Sequence, residues 1–331
     1  MSVLIIAPAE DDHAIAVREH LDAGGSEVAV IDTGLFPEAL QVAMRFSCCT
    51  DRRDFRLSVQ GKQIDLSRVG SVWWRRPRPA TISEQMYRSS HRHFAANEAY
   101  EALAGLWEAM DAQWINVPGN DLAAQHKPYQ LRMAQKVGLK IPATLMTNDP
   151  DQARQFVDAQ GYRNVVYKSF SSTEMEWRET RLLQEEEIAL LDYVRHAPVI
   201  FQHYVPAKYD LRVTLIDHQI FAAAIHSQQT QYPIDSRIDI ANAAIEAVTL
   251  PQDISSRLLR LTEALGLRYG AIDLRLTPSG DYVFFEINPA GQCLYIEQAT
   301  GQPIARALAD ALARRDEPVT PGRKPERACD C

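Results

Sequence analysis

The chain contains little cysteine and no long apolar segment, and these absences exclude several classes of protein. Its 331 residues include 5 cysteines, whose spacing is typical of neither a disulfide framework nor a zinc site. Two of them, Cys329 and Cys331, lie in the C-terminal tail and are expected to have no role. The apolar run at residues 3–7 is too short for a signal peptide, and no run approaches the length of a membrane span. The sequence therefore predicts a soluble protein of the reducing cytoplasm.

An excess of positive charge is also missing. The formal net charge is -8, and 46% of the residues are hydrophobic. This balance argues against a general surface for nucleic acid or anionic membrane. The apolar content is sufficient for a large core in two or three lobes. Any polyanionic ligand must therefore be met by a local cluster of Lys and Arg.

The pattern along the chain predicts an α/β (α+β) protein with three parts and a tail. A strand, helix, strand unit begins a small open α/β domain that is predicted to cover residues 1–118. A second α/β unit follows at residues 119–197, and antiparallel strands dominate residues 198–315. Residues 316–331 are rich in Pro and charge and are predicted to be disordered.

Two long helices are predicted inside these parts. The pattern favours one helix from about residue 82 to residue 110 and another from residue 121 to residue 137, where Gly138 follows as a stop signal. The basic residues of the first helix are expected on a solvated face.

Two apolar strands near the end of the chain are predicted to form a hairpin. They cover residues 270–277 and 282–288, and Pro-Ser-Gly-Asp between them is typical of a turn. In the predicted register Thr277 lies opposite Tyr282. The apolar face of the second strand is then filled by Val283, Phe285 and Ile287.

The same register places two carboxylates directly across the hairpin. Asp273 lies opposite Glu286, and Asn288 shares their face because side chains alternate along a strand. Carboxylates about 5 Å apart repel by roughly 3 kcal/mol at an effective dielectric constant of about 20, unless a cation lies between them. Since Mg²⁺ prefers such hard oxygen ligands, these three residues are the predicted metal site. The alternatives are a solvated sheet face or a loop that shifts the register.

Phosphate chemistry requires cations aimed at the transferred group, and two lysines meet this need. Lys127 lies near the start of a helix. Lys168 ends an apolar strand, where an ammonium group is costly to cover without an anion. Either could instead be a surface lysine. Arg212 alternates with apolar residues and could bind an acyl phosphate or pair with Asp210. The backbone of residues 202–205 could read an adenine edge or belong to ordinary core.

Several motifs, in this order along the chain, resemble those of the ATP-grasp ligases. They are Lys127, Lys168, Gln-His-Tyr-Val at 202–205, Asp-Leu-Arg at 210–212, Asp273 and Glu-Ile-Asn-Pro at 286–289. Within that superfamily, other motifs resemble the graspetide synthetases, which close rings in microviridin-type peptides. These motifs are Asp32-Thr33 with Phe36-Pro37, Val-Trp-Trp-Arg-Arg-Pro at 72–77, and Val-Pro-Ala-Lys-Tyr-Asp-Leu-Arg-Val-Thr at 205–214. The resemblance covers about residues 1–315.

The resemblance implies an ATP-grasp fold with an N-terminal open α/β pre-ATP-grasp domain, a central α/β subdomain and a C-terminal antiparallel-sheet subdomain. It implies ATP and Mg²⁺ as cofactors. ATP would phosphorylate an Asp or Glu side chain of an acidic ribosomal precursor peptide, and a Ser or Thr hydroxyl or a Lys amine would then close an ester or amide ring. The expected partners are this peptide, with leader and core segments, and a second copy of the chain. Neither nucleic acid nor a membrane is expected.

The resemblance also implies roles for individual residues. Those that would contact phosphates or act in catalysis are Lys127, Lys168, Arg212 and Arg275. Those around the adenosine would be Gln202, Tyr204, Val205 and, near the ribose, Asp210. The metal ligands would be Asp273, Glu286 and Asn288. Those that would bind the peptide are Arg75, Arg76 and His226. For the two arginines a second interpretation stays open, since Trp73 and Trp74 beside them could mean that the motif packs the lobe interface.

Two other functions fit the same residues. One is a ligase that adds free amino acids to a protein or small acid, as the ribosomal-protein glutamate ligases do. The other, from a different class, is a nucleotide-binding regulatory module without turnover. The complete set of metal ligands disfavours the module, since binding alone has less need of every ligand. No Ser-His-Asp or Cys-His grouping is apparent, and the implied chemistry requires no protein nucleophile.

Overall fold

The computed structural model describes residues 2–47, 50–170, 179–230, 234 and 239–314. The predicted disordered tail, with Cys329 and Cys331, lies outside these residues. By its internal contacts the chain divides into two compact units, one containing Met1–Asp121 and the residues from Pro303 onward, the other Leu122–Gln302. Among the helices of the described residues, none has the length and apolar character that a membrane crossing requires.

Strands outnumber α-helices in the described residues. The strands are β1 (Ser2–Ile6), β2 (Glu27–Ile31), β3 (Leu40–Ser47), β4 (Thr50–Val59), β5 (Lys62–Asp65), β6 (Val69–Trp74), β7 (Gln113–Ile115), β8 (Thr144–Thr147), β9 (Val165–Lys168), β10 (Arg181–Leu182), β11 (Val199–His203), β12 (Tyr209–Ile216), β13 (Gln219–Ile225), β14 (Ile245–Val248), β15 (Tyr269–Leu276) and β16 (Tyr282–Asn288). The helices are α1 (Asp12–Ala23), α2 (Ser89–Ala109), α3 (Pro118–Gln125), α4 (Lys127–Lys136), α5 (Pro150–Gln160), α6 (Gln252–Leu265), α7 (Leu294–Thr300) and α8 (Ile304–Ala313).

The first unit is built on an open parallel sheet in the strand order β2-β1-β6-β7. Helix α1 begins where Asp11 accepts a hydrogen bond from the Ala14 amide, which satisfies one of the unpaired donors of its first turn. A smaller antiparallel sheet contains β3, β4 and β5. The prediction of an N-terminal open α/β domain is therefore confirmed.

The second unit contains two antiparallel sheets. The first has the order β10-β9-β11-β8, and its apolar core is formed by residues such as Val157 of α5, Val165 and Phe201. The second has the order β14-β13-β12-β15-β16. The predicted C-terminal antiparallel sheet is confirmed, and together the sheets give the α/β architecture that was expected.

One face of the five-stranded sheet is apolar and holds the larger core. Leu211, Ile272 and Phe284 lie in this cluster with Leu258 and Leu261 of α6. Burying each such side chain contributes about 1.5–3 kcal/mol. Since side chains alternate along a strand, the residues between them are presented on the opposite face. That opposite face carries the charged groups of the candidate site.

The two long helices differ from the prediction. In place of one helix over residues 121–137, α3 ends at Gln125, His126 is extended, and α4 begins at Lys127. Pro128 explains the break, because a proline inside a continuous helix removes a hydrogen bond and clashes with the preceding turn. The other predicted helix starts at Ser89 and not near residue 82. Its buried residues begin only at Ala99, so the residues before Ser89 have no apolar face to bury.

The predicted domain boundaries at residues 118, 197 and 315 stay a prediction. The change of unit at Asp121 falls inside α3, close to the first of them. Helix α8 belongs by its contacts to the first unit, where the Ser71 hydroxyl donates to the Leu312 carbonyl at 2.7 Å.

Candidate functional site

Strands β15 and β16 form the predicted hairpin, but the register that was predicted next to the turn is wrong. Leu276, and not Thr277, lies opposite Tyr282. The Thr277 side chain instead closes the turn, because its hydroxyl accepts a hydrogen bond from the Asp281 amide at 3.0 Å. The turn therefore contains one more residue than the prediction allowed.

A bulge restores the predicted pairing at the site. The register shifts between Leu274 and Asp273, so that Phe285 is the extra residue of β16 and Asp273 lies opposite Glu286 as predicted. The bulge also changes the faces of the strand. Phe284 belongs to the apolar core, whereas Phe285 lies 5.3 Å from the Arg275 guanidinium. The prediction that Phe285 fills the apolar face is wrong for this reason.

Each of the two facing carboxylates is paired with a cation. Lys127, the first residue of α4, places its Nζ 2.5 Å from Glu286 Oε2. Arg212 lies directly opposite Asp273 on the neighbouring strand β12, and its Nη1 donates to Asp273 Oδ1 at 2.8 Å. Two positive charges thus offset the repulsion that the sequence predicted.

The environment of Arg212 keeps its guanidinium charged. The residue is 9% exposed. Burial alone would lower the pKa of Arg212, but the charge of Asp273 and its hydrogen bond outweigh burial and raise the pKa above its usual value. A fixed, buried positive charge of this kind is suited to hold an anionic intermediate.

The loop after β16 lies directly on the polar face of the sheet. A Cβ atom at Gly291 would lie 2.4 Å from Ala271 Cβ and 2.8 Å from Arg212 Nη2. The Gly291 carbonyl accepts a hydrogen bond from the Tyr269 hydroxyl at 2.7 Å, and the Gln292 carbonyl accepts one from Arg212 Nη2 at 2.9 Å. Only glycine permits this approach, so the loop helps to fix the Arg212 side chain.

A second cross-strand ion pair has the reverse arrangement of charge. Asp210 on β12 lies opposite Arg275 on β15, and Arg275 Nε donates to Asp210 Oδ1 at 2.7 Å. The Ser227 hydroxyl donates to Asp210 Oδ2 at 2.5 Å. Asp210 therefore pairs with Arg275, and Arg212 pairs with Asp273. The alternative that Arg212 pairs with Asp210 is wrong, and its contact with an acyl phosphate stays a prediction.

The predicted adenine-binding residues lie at the end of β11. Gln202 is 3% exposed, and its Nε2 donates to the Thr144 hydroxyl at 3.0 Å. The Tyr204 amide donates to the Asn164 carbonyl at 2.7 Å, and the Val205 carbonyl accepts from Arg275 Nη1 at 2.9 Å. The side chain of Gln202 is thus engaged within the sheet, so a ligand would meet mainly the backbone of this segment.

Lys168 is the last residue of β9 and lies opposite Ile200 of β11. Gln202 stands two residues after Ile200, so the side chains of Lys168 and Gln202 point to the same face of the sheet. The lysine is half-buried. Its position at the strand end agrees with the expectation for a phosphate contact, which stays a prediction.

The three residues predicted to bind peptide have different surroundings. Arg75 is 1% exposed, lies 5.8 Å from the Trp73 ring and places its Nε 3.3 Å from Asp11 Oδ1, whereas Arg76 is exposed. His226 lies at the end of β13, with its Nε2 2.9 Å from Glu246 Oε1. The burial of Arg75 favours a structural role for it within the first unit. Trp74 packs edge to face against the rings of Trp107 and Trp114 in the core of that unit.

Sequence reasoning missed two residues of this site. Tyr295 of α7 lies close enough to Arg212 and Asp273 for their charges to affect its pKa. Burial raises the pKa of its phenol to about 12, with Arg212 opposing and Asp273 reinforcing the shift. Ser227 contacts Asp210 from a turn that carries no motif. The Pro-Ala-Gly loop before Tyr295 was the one signal in the sequence that backbone comes close here.

The candidate metal ligands are two carboxylates and one amide. In the described ranges no group of three or more His, Cys, Asp and Glu side chains is arranged so that it could hold a metal ion. Asp273, Glu286 and Asn288 nevertheless share one face of the hairpin, since Ala271 lies opposite Asn288 and Asp273 opposite Glu286. This donor set is purely oxygen, which fits a hard cation such as Mg²⁺.

Comparison with protein families accounts for most of the chain. A family model described as the MvdD pre-ATP grasp domain matches residues 2–121. A second model, described as the RimK-like ATP-grasp domain, matches residues 124–312.

Solved structures of similar proteins match nearly the whole chain. Macrocyclase MdnB from Microcystis aeruginosa is 31% identical over 94% of this chain and 99% of that chain, with a TM-score of 0.81. Macrocyclase MdnC from the same organism, solved with precursor peptide MdnA, is 29% identical, with coverage of 95% and 100% and a TM-score of 0.84. A RiPP-associated ATP-grasp ligase from Chryseobacterium gregarium, in complex with ADP and a leader and core peptide, is 28% identical, with coverage of 94% and 96% and a TM-score of 0.85.

Curated relatives match a smaller part. A probable alpha-L-glutamate ligase from Shewanella halifaxensis is 24% identical over 220 residues, which are 65% of this chain and 47% of the relative. A similar protein from Shewanella pealeana gives the same identity and coverage. The chain thus spans about half the length of these curated relatives.

Proposed function

The chain belongs to the RimK-like ATP-grasp family, and from this premise we propose that it cyclises a ribosomally made precursor peptide. ATP is consumed to activate Asp or Glu side chains of the peptide as acyl phosphates. A Ser or Thr hydroxyl or a Lys amine of the same peptide then closes an ester or amide ring. The similarity to the two macrocyclases over nearly their entire length supports this substrate class.

One observation carries the proposal. Arg212, held by Asp273 and by the Gln292 carbonyl, lies on the same sheet face as the facing carboxylates Asp273 and Glu286. A buried guanidinium beside two carboxylates that are proposed to bind the metal would bring an anion and a divalent cation to one place. Acyl phosphate formation requires this arrangement, since both reactants are negatively charged.

The reaction needs no nucleophile from the protein. A peptide carboxylate oxygen attacks the γ-phosphorus of ATP, the bond to the β-phosphate oxygen breaks, and ADP leaves. The hydroxyl or amine then attacks the acyl carbon, phosphate departs, and the proton of the nucleophile passes to phosphate or solvent. Arg212 would steady the transferred phosphoryl group, while Lys127 and Lys168 would hold the ATP phosphates.

Magnesium is the proposed cofactor, with Asp273, Glu286 and Asn288 as its ligands. When bound, it would supply the positive charge that the phosphate oxygens require during transfer. Lys127 and Arg212 already neutralise part of the charge on the two carboxylates. We therefore expect the metal to bind weakly without nucleotide and more tightly with it.

A leader and core peptide is the proposed partner, and a homodimer is the proposed assembly. Nucleic acid and membrane are not part of the proposal. Light scattering during size-exclusion chromatography would measure the assembly, and a monomeric mass would contradict it. Because ATP and newly made peptides occur together in the cytoplasm, we propose this compartment as the site of action.

Amino acid ligation is the second candidate function, favoured by the similarity to the probable alpha-L-glutamate ligases. Mass spectrometry separates the two. The test peptide is a short product of a neighbouring reading frame rich in Thr, Ser, Asp and Glu, incubated with the chain, ATP and Mg²⁺. Cyclisation lowers its mass by about 18 Da per ring, because each ring closure releases one water, whereas ligation adds the mass of an amino acid less one water. Unchanged peptide mass with every such substrate would contradict both functions.

A further inference from the structure

A continuous chain of hydrogen bonds connects the end of β11 to the polar face of the five-stranded sheet. Ser227 donates to Asp210 Oδ2 at 2.5 Å, and Arg275 donates to Asp210 Oδ1 at 2.7 Å and to the Val205 carbonyl at 2.9 Å. Ser227, Asp210 and Arg275 are 0%, 8% and 5% exposed. We call these three side chains and the Val205 carbonyl the buried bridge. Because water is largely excluded, each of its hydrogen bonds is stronger than at the surface.

The buried bridge fixes one backbone donor. The Tyr204 amide is held by the Asn164 carbonyl at 2.7 Å, and the Val205 carbonyl is held by Arg275. Between these two fixed points lies the Val205 N–H, which has no hydrogen-bond partner among the residues that the structure describes. A backbone donor that is both oriented and available is suited to read the edge of a base.

Aromatic rings hold the Arg275 guanidinium in place. Its central carbon lies 6.0 Å from the Tyr204 ring centre and 5.3 Å from the Phe285 ring centre. The second contact depends on the bulge that turns Phe285 away from the apolar core. A planar guanidinium that meets two rings and two oxygen acceptors has little freedom to move.

We propose that the buried bridge positions the Val205 amide for the adenine base of ATP. Asp210 and Arg275 are then positioning residues, and they do not contact the ribose or the phosphoryl group. Both oxygens of Asp210 accept hydrogen bonds within the bridge, which leaves a ribose hydroxyl little surface to meet. The inference rests on the proposed function, because that function supplies ATP as the nucleotide.

Strand β15 also fixes the spacing between Asp273 and Arg275. Arg275 follows Asp273 by two residues on β15, which corresponds to about 7 Å along a strand. The same strand therefore carries a proposed metal ligand and the side chain that holds the adenine segment. A change at Arg275 should alter recognition of the base and leave the metal end of β15 in place.

Binding of ADP and GDP to the full-length chain, measured by calorimetry, tests the proposal. Arg275→Gln is expected to weaken ADP binding by about tenfold or more, because a charge-assisted hydrogen bond is lost. Asp210→Asn is expected to have a smaller effect, and Ser227→Ala the smallest. GDP binding should change little in all three variants, because guanine presents different groups at that edge. The preference for ADP over GDP should therefore fall most in Arg275→Gln, less in Asp210→Asn and least in Ser227→Ala.

Two further variants control for folding. Arg275→Gln leaves Asp210 buried without its cation, and the double variant Asp210→Asn/Arg275→Gln removes this charge imbalance. The double variant is expected to melt closer to the original chain while its ADP preference stays lost. Arg268→Gln, which breaks the bidentate pair with Asp217 at the other end of β15, should lower stability and leave the ADP preference unchanged.

The outcomes distinguish this inference from the proposed function. Unchanged ADP affinity in folded Arg275→Gln and in the double variant would overturn the buried bridge as a positioning device. An equal loss for ADP and GDP would overturn it too, since the effect would then lie on the phosphates or the fold. If the ADP preference follows the bridge but no peptide is ever dehydrated, the proposed function fails and this inference stands.

Discussion

Arg212 on β12 lies directly opposite Asp273 on β15, and its Nη1 donates a hydrogen bond to Asp273 Oδ1 at 2.8 Å. The pair stands beside Glu286, which is bound by Lys127. The candidate site is therefore an alternation of two anions and two cations across neighbouring elements. Such an arrangement stabilises the fold before any ligand binds, and it provides both signs of charge for the proposed metal and phosphoryl group.

The Arg212–Asp273 pair is expected to show energetic coupling. Arg212→Met leaves the Asp273 carboxylate without its cation and should cost about 2 kcal/mol of stability, a value discounted because Asp273 is partly exposed. The double variant Arg212→Met/Asp273→Asn should be more stable than the sum of the single changes indicates. Urea unfolding of the original chain, the two single variants and the double variant measures this coupling free energy. Strictly additive effects would show that the two side chains do not interact in solution.

Glu286→Gln and Lys168→Ala are expected to abolish the ATP-dependent reaction while the fold persists. Each removes a charge from the proposed phosphate site, and the loss should be about 100-fold or more in rate. ADP release and peptide mass measure the reaction, and a thermal melt measures the fold. Asp281→Asn is the matched control, since it breaks the exposed pair with Lys140 in the same hairpin. Normal turnover in either site variant would make its assignment wrong.

The sequence predicted the facing carboxylates because alternation of side chains fixes which residues share a strand face. It could not reveal the bulge at Phe285, since Val283, Phe284 and Phe285 are all apolar and their pattern does not change when one residue is inserted. The predicted pairing of Thr277 with Tyr282 at the turn was wrong for the same reason. The break before Lys127 had a signal in Pro128, which the apolar periodicity on both sides obscured.

Contacts between distant parts of the chain account for what the sequence left open. Lys127 meets Glu286 across 159 positions, and no local pattern specifies such a partner. From chemistry alone, Asp210 could form an ion pair with either Arg212 or Arg275. Only the alignment of β12 with β15 places Arg275 opposite Asp210. Motifs thus identified the groups of the candidate site, whereas strand register decided which of them are paired with each other.

The Asp11–Arg75 pair predicts acid sensitivity of the first unit. Burial alone would raise the pKa of Asp11, but the charge of Arg75 and the hydrogen bond from the Ala14 amide outweigh it and hold the pKa below its ordinary value of 3.8. A lowered folded-state pKa contributes stability that is present above pH 3.8 and is lost as the pH falls through the lower value. Asp11→Asn should therefore be less stable than the original chain at neutral pH.

This difference in stability should shrink below pH 3.8. Tryptophan fluorescence during urea unfolding at a series of pH values measures it. The signal is suitable because four of the 5 tryptophans in the sequence, Trp73, Trp74, Trp107 and Trp114, belong to the first unit. A difference that stays constant across this range would mean that Asp11 titrates normally in the folded state.

Gly291→Ala is expected to reduce activity through the loop that holds Arg212. The added Cβ would lie 2.4 Å from Ala271 Cβ and 2.8 Å from Arg212 Nη2, so the loop must move off the sheet and release the hydrogen bond from Arg212 to the Gln292 carbonyl. The rate of acyl phosphate formation should fall by about tenfold to 100-fold, because a positioned charge is displaced. Gly105→Ala is the matched control, since Gly105 lies inside helix α2 and a Cβ there meets no atom within 4 Å apart from the neighbouring backbone of that helix. That change should leave the rate unaltered and raise stability by about 0.5–1 kcal/mol. Equal rates for both variants would show that the loop does not govern the position of Arg212 during the reaction.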